Sequence, residues 1–358
     1  MDKYVFPIAD CVIFENYCNL SCDYCFLREN LQSQIPKELL SGYYENLLRC
    51  IGFAKANNIA MFKLSGGEIF LHDKLFNAVM KETGFQKIQI LTNGTLIRDE
   101  HIQRISQRTE VGLQLSLDGH TFEMNFSRFK SRGLFQRVKD LLEYIVKKDI
   151  PVEVNMCLTR ENVESLKLYI EYLMSLRGRV ILNIIPVREE KEHLAVKEEQ
   201  LIHIEEIISR YDAYESVLPP KEYLRLMLFV LKSKNKPEGW KCYINKAVLS
   251  IQGDGDIKIC PEVPTIDNTV AANAFSYGDN SKQYNPIDEI IDSKRAELLS
   301  NYSGRIPICK GCFTHYEIIN LYVKGMISEE QLRRIWIYDN DVIVHRLNEI
   351  RRCGGEQL

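Results

Sequence analysis

The sequence has no apolar run approaching the ~20 residues that a membrane-spanning helix requires. Its opening residues, Met1-Asp2-Lys3-Tyr4-Val5-Phe6-Pro7, carry neither an apolar signal core nor a small-residue cleavage site. Charge of one sign is also lacking: 46 Lys and Arg stand against 49 Asp and Glu, a net charge of −3. The basic pairs Lys147-Lys148 and Arg351-Arg352 are short and fall in helical patterns, as solvated faces do. No internal repeat or low-complexity tract is present. These shortages argue against a spanning helix, a secretory leader and a basic field for nucleic acid or an anionic membrane. The expectation is a cytoplasmic protein with neither nucleic-acid nor membrane partners.

What is there is an ordinary globular composition, 358 residues with 45% hydrophobic and 27% charged. That length holds one large domain, or a core of roughly 200–250 residues with a smaller unit appended. Eleven cysteines stand out. In a reducing compartment they hold metal or fill cores rather than pair as disulfides. Seven of them, Cys18, Cys22, Cys25, Cys242, Cys260, Cys309 and Cys312, fall in tight or patterned spacings, which favours metal.

Up to about residue 190, apolar β-branched runs alternate with helical patterns, which predicts a parallel α/β fold. The predicted strands are Val12–Phe14, Ala60–Leu64, Lys87–Leu91, Val111–Asp118, Val152–Leu158 and Val180–Ile185. A long helix is expected from Pro36 to Asn57, with others at Phe135–Lys148 and Glu164–Leu176. Six βα units imply a sheet curled into an incomplete, TIM-like (β/α)6 barrel with its chemistry at the C-terminal strand ends. Further helices are expected at Lys197–Tyr214 and Lys221–Lys234. The Asn235-Lys236-Pro237-Glu238-Gly239 cluster then marks a boundary, dividing the chain into 1–235 and 236–358. Beyond it a hairpin is predicted, Ala247–Gln252 and Asp256–Ile259 about a Gly253-Asp254-Gly255 turn. A polar loop over Ala271–Gln283 and closing helices follow.

Cys18, Cys22 and Cys25 lie within eight residues, directly after the first strand. A cubane iron–sulfur cluster normally takes four protein ligands, so three leave one iron open. Zinc is the competing reading, but a zinc site wants a fourth ligand, and the nearest histidine in sequence is His72. The spacing Cys-x3-Cys-x2-Cys, with Tyr24 before the third cysteine, resembles the signature of the radical S-adenosylmethionine (SAM) superfamily. That resemblance implies a [4Fe–4S] cluster that chelates SAM, cleaves it reductively and releases a 5′-deoxyadenosyl radical to take hydrogen from a substrate. It implies SAM contacts at Gly66-Gly67-Glu68 and at Asn93 in a Thr-Asn-Gly turn. Ser116 and Asp118 would meet the ribose, Arg128 would lie near the SAM carboxylate, and Leu158 reads first as a core leucine, with adenine as its other role. Taken singly these are turns, caps and core residues; in chain order at strand ends they support one another.

Cys242 and Cys260 frame a Cys-x12-Gly-x4-Cys pattern through Gly255, and Cys309-Lys310-Gly311-Cys312 follows. Four such thiolates hold either zinc or an iron–sulfur cluster. Behind a radical SAM core the pattern is similar to a SPASM/Twitch domain, and the lack of cysteine from Phe313 to Ile327 favours the shorter Twitch form. The resemblance thus implies one auxiliary [4Fe–4S] cluster on Cys242, Cys260, Cys309 and Cys312, in a small C-terminal unit of hairpin and helices. Cys11, Cys50, Cys157 and Cys353 have no partner by spacing and read as core residues; Cys157 or Cys353 is alternatively a hydrogen donor to a substrate radical.

The implied activity is oxidation, cross-linking or epimerisation of a peptide, with electrons from a flavodoxin or ferredoxin. The alternative is dehydrogenation or epimerisation of a sugar or aminocyclitol, which the single auxiliary cluster also suits. The first strand near residue 12 leaves no room for an N-terminal peptide-recognition domain, which counts against the peptide reading. A non-catalytic electron-transfer protein is disfavoured by Cys18, Glu68, Ser116 and Asp118 occurring together.

Overall fold

The computed structural model describes residues 6–25, 31–187, 189–258, 260–261, 270–275, 287, 309 and 311–355, without the side chains of 189–190, 270–272 and 353–355. The chain alternates β1 (Ile8–Val12), α1 (Lys37–Ala56), β2 (Met61–Ser65), α2 (Asp73–Lys81), β3 (Lys87–Thr92), α3 (Asp99–Ser106) and β4 (Val111–Ser116). It continues through α4 (Arg132–Lys147), β5 (Val152–Leu158), α5 (Leu166–Ser175) and β6 (Val180–Pro186). Helices α6 (Leu201–Ser209), α7 (Tyr211–Tyr214), α8 (Lys221–Ser233) and α9 (Ile244–Ala247) lead to strands β7 (Val248–Gln252), β8 (Asp256–Lys258) and β9 (Val270–Asn273). Helices α10 (Glu317–Val323), α11 (Glu329–Arg333) and α12 (Asp341–Gly355) follow.

Among the described residues the strands form one nine-stranded sheet in the order β6-β5-β4-β3-β2-β1-β7-β8-β9. β1 to β6 pair in parallel throughout and the sheet does not close on itself, as an incomplete barrel requires. The predicted hairpin extends this sheet. β7 runs parallel to β1, Ile8 opposite Val248, and β8 returns antiparallel to it. The longer helices of the βα units bury apolar faces. On α4, Phe135, Val138, Leu142 and Ile145 recur at helical spacing and are buried. On α1 the buried residues are Leu47, Cys50, Ile51, Phe53 and Ala54, whereas Leu39 in the first turn is exposed.

Three boundaries differ from expectation. β1 begins at Ile8 rather than Val12, because Asp10 interrupts the apolar run although the structure buries it between β2 and β7. The single helix expected over Lys197–Tyr214 breaks at Arg210, so α6 and α7 are separate. The start of the expected polar loop is instead β9, whose Ala272 pairs with Ile257 of β8. Ile259 and 276–283 lie outside the described residues.

The inner face of the sheet is polar. Asp10, Lys63 and Gln89 stand in register on β1, β2 and β3, and Gln114 faces Glu153 across β4 and β5. All five are buried. Lys63 Nζ approaches His315 Nε2 at 2.6 Å and Asp10 Oδ2 at 3.9 Å, and the Tyr316 hydroxyl donates to Asp10. The segment after Cys312 is thereby fastened to β1 and β2.

Candidate active site

The loop carrying Cys18, Cys22 and Cys25 leaves β1 through the buried residues Ile13 and Phe14. Tyr17 packs edge-on against Phe14 and Tyr43. The end of β2 seats the loop: Gly67 N–H donates to Phe14 O at 2.9 Å and Glu68 N–H to Tyr17 O at 2.8 Å. A Cβ on Gly67 would stand 1.8 Å from Tyr17 O, and one on Gly66 would stand 2.8 Å from Phe14 O. The two glycines therefore permit a close approach of the chain to its own cysteine loop.

Glu68 is buried, and its side chain ties β2 to the end of β3. Oε1 accepts from Phe70 N–H at 3.0 Å and from the Thr92 hydroxyl at 2.8 Å, and Oε2 accepts from Asn93 N–H at 2.7 Å. Burial pushes this carboxyl above the usual range, and those donors hold it back. Asn93 then reaches the cysteine loop, its Nδ2 donating to Asn19 Oδ1 at 2.9 Å and to Cys18 Sγ at 3.8 Å.

β4 meets the loop from the other side. Asp118 is 1% exposed and accepts Arg128 Nε and Nη2 at 3.0 and 2.9 Å, Cys157 N–H at 2.9 Å, and the Tyr24 hydroxyl. Asn125 Oδ1 accepts Asp118 N–H at 2.7 Å. Both Asp118 oxygens are thus occupied by protein donors, and Arg128 lies 5.4 Å over the Tyr24 ring. Ser116, Asn155 and Cys157 are the half-buried groups at the β4 and β5 ends. Leu158 is fully buried among Val154 and Met156, on the face of β5 that packs on the helices, because side chains alternate along a strand.

Burial pushes the Cys18 thiol up to about 11 and the Cys22 thiol up to about 12. A thiolate there needs a positive partner in place of its proton, which suits an iron–sulfur group. In the second set, Cys242, Cys260, Cys309 and Cys312 are all half-buried. Cys242 precedes α9, Cys260 follows β8 and Cys312 precedes α10. Cys11 and Cys50 are buried, and a Cys50 hydrogen bond raises Cys11, so these two thiols pack together. The Cys353 side chain lies outside the described residues. Asp73, Glu100 and His101 also bring ligand atoms together, but Arg98 lies 2.6 Å from both carboxylates and occupies the place of a cation.

Sequence reasoning found the residues at the strand ends but missed what ties them. Asn19 and Asn125 carry no motif, the Thr-Asn-Gly turn did not show that its Thr92 hydroxyl donates to Glu68, and the Asp10–Tyr316 pair joins positions too far apart to be read from spacing.

Residues 12–173 match the family model described as the Radical SAM superfamily. The chain is 23% identical over 354 residues to the antilisterial bacteriocin subtilosin biosynthesis protein AlbA of Bacillus subtilis (strain 168), covering 92% of this chain and 70% of that protein. It is 26% identical over 173 residues to the sporulation killing factor maturation protein SkfB of the same strain, covering 48% of this chain and 40% of that one. Streptococcus suis SuiB bound to precursor peptide SuiA superposes with a TM-score of 0.61 at 16% identity, over 86% of this chain and 70% of that chain. anSMEcpe with bound AdoMet gives 0.60 at 16% identity, over 96% and 99%. At that identity the structural likeness speaks for the fold. The family match takes in the three-cysteine loop after β1 and the strand ends that surround it, so residues 12–173 form a radical SAM domain.

Proposed function

We propose that this enzyme modifies a peptide, in the manner of a maturase of ribosomally made peptides. The observation that carries the reading is a likeness running along 92% of the chain to a protein named for bacteriocin biosynthesis. In this reading Cys18, Cys22 and Cys25 hold the [4Fe–4S] cluster, and Cys242, Cys260, Cys309 and Cys312 hold an auxiliary one. Reduced cluster and SAM together supply a 5′-deoxyadenosyl radical that takes a hydrogen atom from the substrate.

The chain's own groups do the rest. Glu68 Oε2 accepts one N–H from protein and keeps acceptor capacity for the SAM ammonium, with the Gly66-Gly67 backbone next to it in sequence. Ser116 offers a hydroxyl at the β4 end for the ribose. Asp118 fixes Arg128 and Tyr24 and so sets the wall against which the cofactor lies. Leu158 is assigned to the core. Cys157 is the described thiol outside the seven that opens on this face, and a Cys157→Ala variant with full activity removes any role for it in returning hydrogen. Electrons come from a flavodoxin or ferredoxin.

The test is anaerobic turnover of reconstituted enzyme with SAM, reductant and the peptides encoded by short reading frames beside its gene. A peptide that raises 5′-deoxyadenosine formation and loses or gains mass supports the proposal. Turnover of a sugar or aminocyclitol, with every peptide inert, overturns it.

A further inference from the structure

Asn320 is wholly buried on α10 and its amide is fully used. Oδ1 accepts Tyr243 N–H at 2.6 Å; Nδ2 donates to Glu317 Oε2 at 2.9 Å and to Cys242 Sγ at 3.7 Å. Glu317, one turn earlier and 2% exposed, is paired through Oε1 with Lys236. The sense of the amide is settled by its neighbours. A backbone N–H only donates, so the oxygen must face Tyr243 and the NH2 must face the carboxylate and the sulfur.

Burying an amide donor costs free energy unless it is used, and a neutral thiol is a weak acceptor for it. A ligand thiolate is a good one. The first cysteine set has the same device, Asn93 Nδ2 donating to Cys18 Sγ. Hydrogen bonds to the sulfurs are among the controls on the potential of an iron–sulfur group, because they draw charge off the ligand and favour the reduced form.

We infer that Asn320 is a positioning residue of the second cysteine set: its amide orients Cys242 Sγ and raises the reduction potential of the group held there, while Glu317 and Lys236 fix the amide. This rests on the reading that Cys242, Cys260, Cys309 and Cys312 hold an iron–sulfur cluster.

The experiment uses the full chain with Cys18, Cys22 and Cys25 replaced by Ala, so that one cluster remains after anaerobic reconstitution. Iron content and an EPR-monitored redox titration are measured with and without Asn320→Leu, and with Asn320→Asp, which keeps the acceptor for Tyr243. Both variants are expected to keep about four irons. Their one-electron reduction equilibrium should weaken about tenfold, a fall of ~59 mV. An unchanged potential in a variant that keeps its iron overturns the inference. A parent chain without iron instead defeats the cluster reading, and the inference falls with it. If both variants lose their iron, the parent chain decides: with asparagine side chains isotopically labelled at nitrogen, the reduced cluster should show hyperfine coupling to an asparagine amide, and its absence sinks the assignment.

Discussion

Asp118 and Arg128 meet at both carboxylate oxygens, 2.9 and 3.0 Å apart, although neither side chain has appreciable access to water. The pair lies where β4 touches the cysteine loop, with the Tyr24 hydroxyl on the same carboxylate and Asp23 N–H donating to Ser127 O at 2.8 Å. The geometry of the loop therefore depends on a charge that comes from another strand.

Replacing Asp118 by Asn leaves Arg128 buried without its counter-charge. Breaking one half of a buried pair costs about 3–5 kcal/mol. Urea unfolding of D118N should show a loss of that order, and SAM cleavage should fall with it. A variant as stable as the parent would contradict the role given to this pair.

Gly67→Ala should displace the cysteine loop, since the new Cβ would lie within 1.8 Å of Tyr17 O. The expected outcome is loss of about four irons per chain with the circular-dichroism spectrum of the sheet and helices preserved. Gly66→Ala meets Phe14 O at 2.8 Å and should be milder. Iron content equal to the parent in G67A would show that the close contact does not hold the loop.

Iron counting after anaerobic reconstitution separates the two cysteine sets. About eight irons per chain are expected, and about four after removal of either set. A count of about four in the parent, with zinc present, would assign the second set to zinc.

The raised Cys18 and Cys22 thiols make the metal-free protein sensitive to alkali. A thiol whose folded pKa exceeds its unfolded value stabilises the fold fully at lower pH, and that contribution is lost as pH rises. The window runs from about 9 to about 11 for Cys18 and to about 12 for Cys22. Iodoacetamide labelling of Cys18 in the folded apo-protein should be slow at neutral pH and rise toward pH 11. A labelling midpoint near that of a free thiol would refute the burial argument.

Much of this was legible in the sequence because strand ends and short motifs coincide. β5 runs from Val152 to Leu158, as its alternation predicts, and the Gly-Gly-Glu and cysteine motifs do come together. The roles of the motif residues were less legible. Asp118 was read as facing a ribose, yet its oxygens are taken by Arg128, Tyr24 and Cys157 N–H, partners set by tertiary packing. Leu158, for which a core role stood beside the adenine one, is fully buried. Asp10 and Lys63 hid β1 and the inner face from hydrophobic patterning, because a charge buried by its neighbours is indistinguishable in sequence from one in water.

The parallel pairing of β1 with β7 has a consequence for how the chain is made. Until Val248–Gln252 leave the ribosome, β1 is an edge strand with one row of backbone groups unpaired. The strand that launches the cysteine loop thus waits for more than two hundred residues before its second neighbour arrives. Such long-range pairing is slow to form and exposed to misassociation in the meantime. A nascent chain stalled before Val248 would present that open edge, so completion of the C-terminal strands comes before the loop's scaffold is closed.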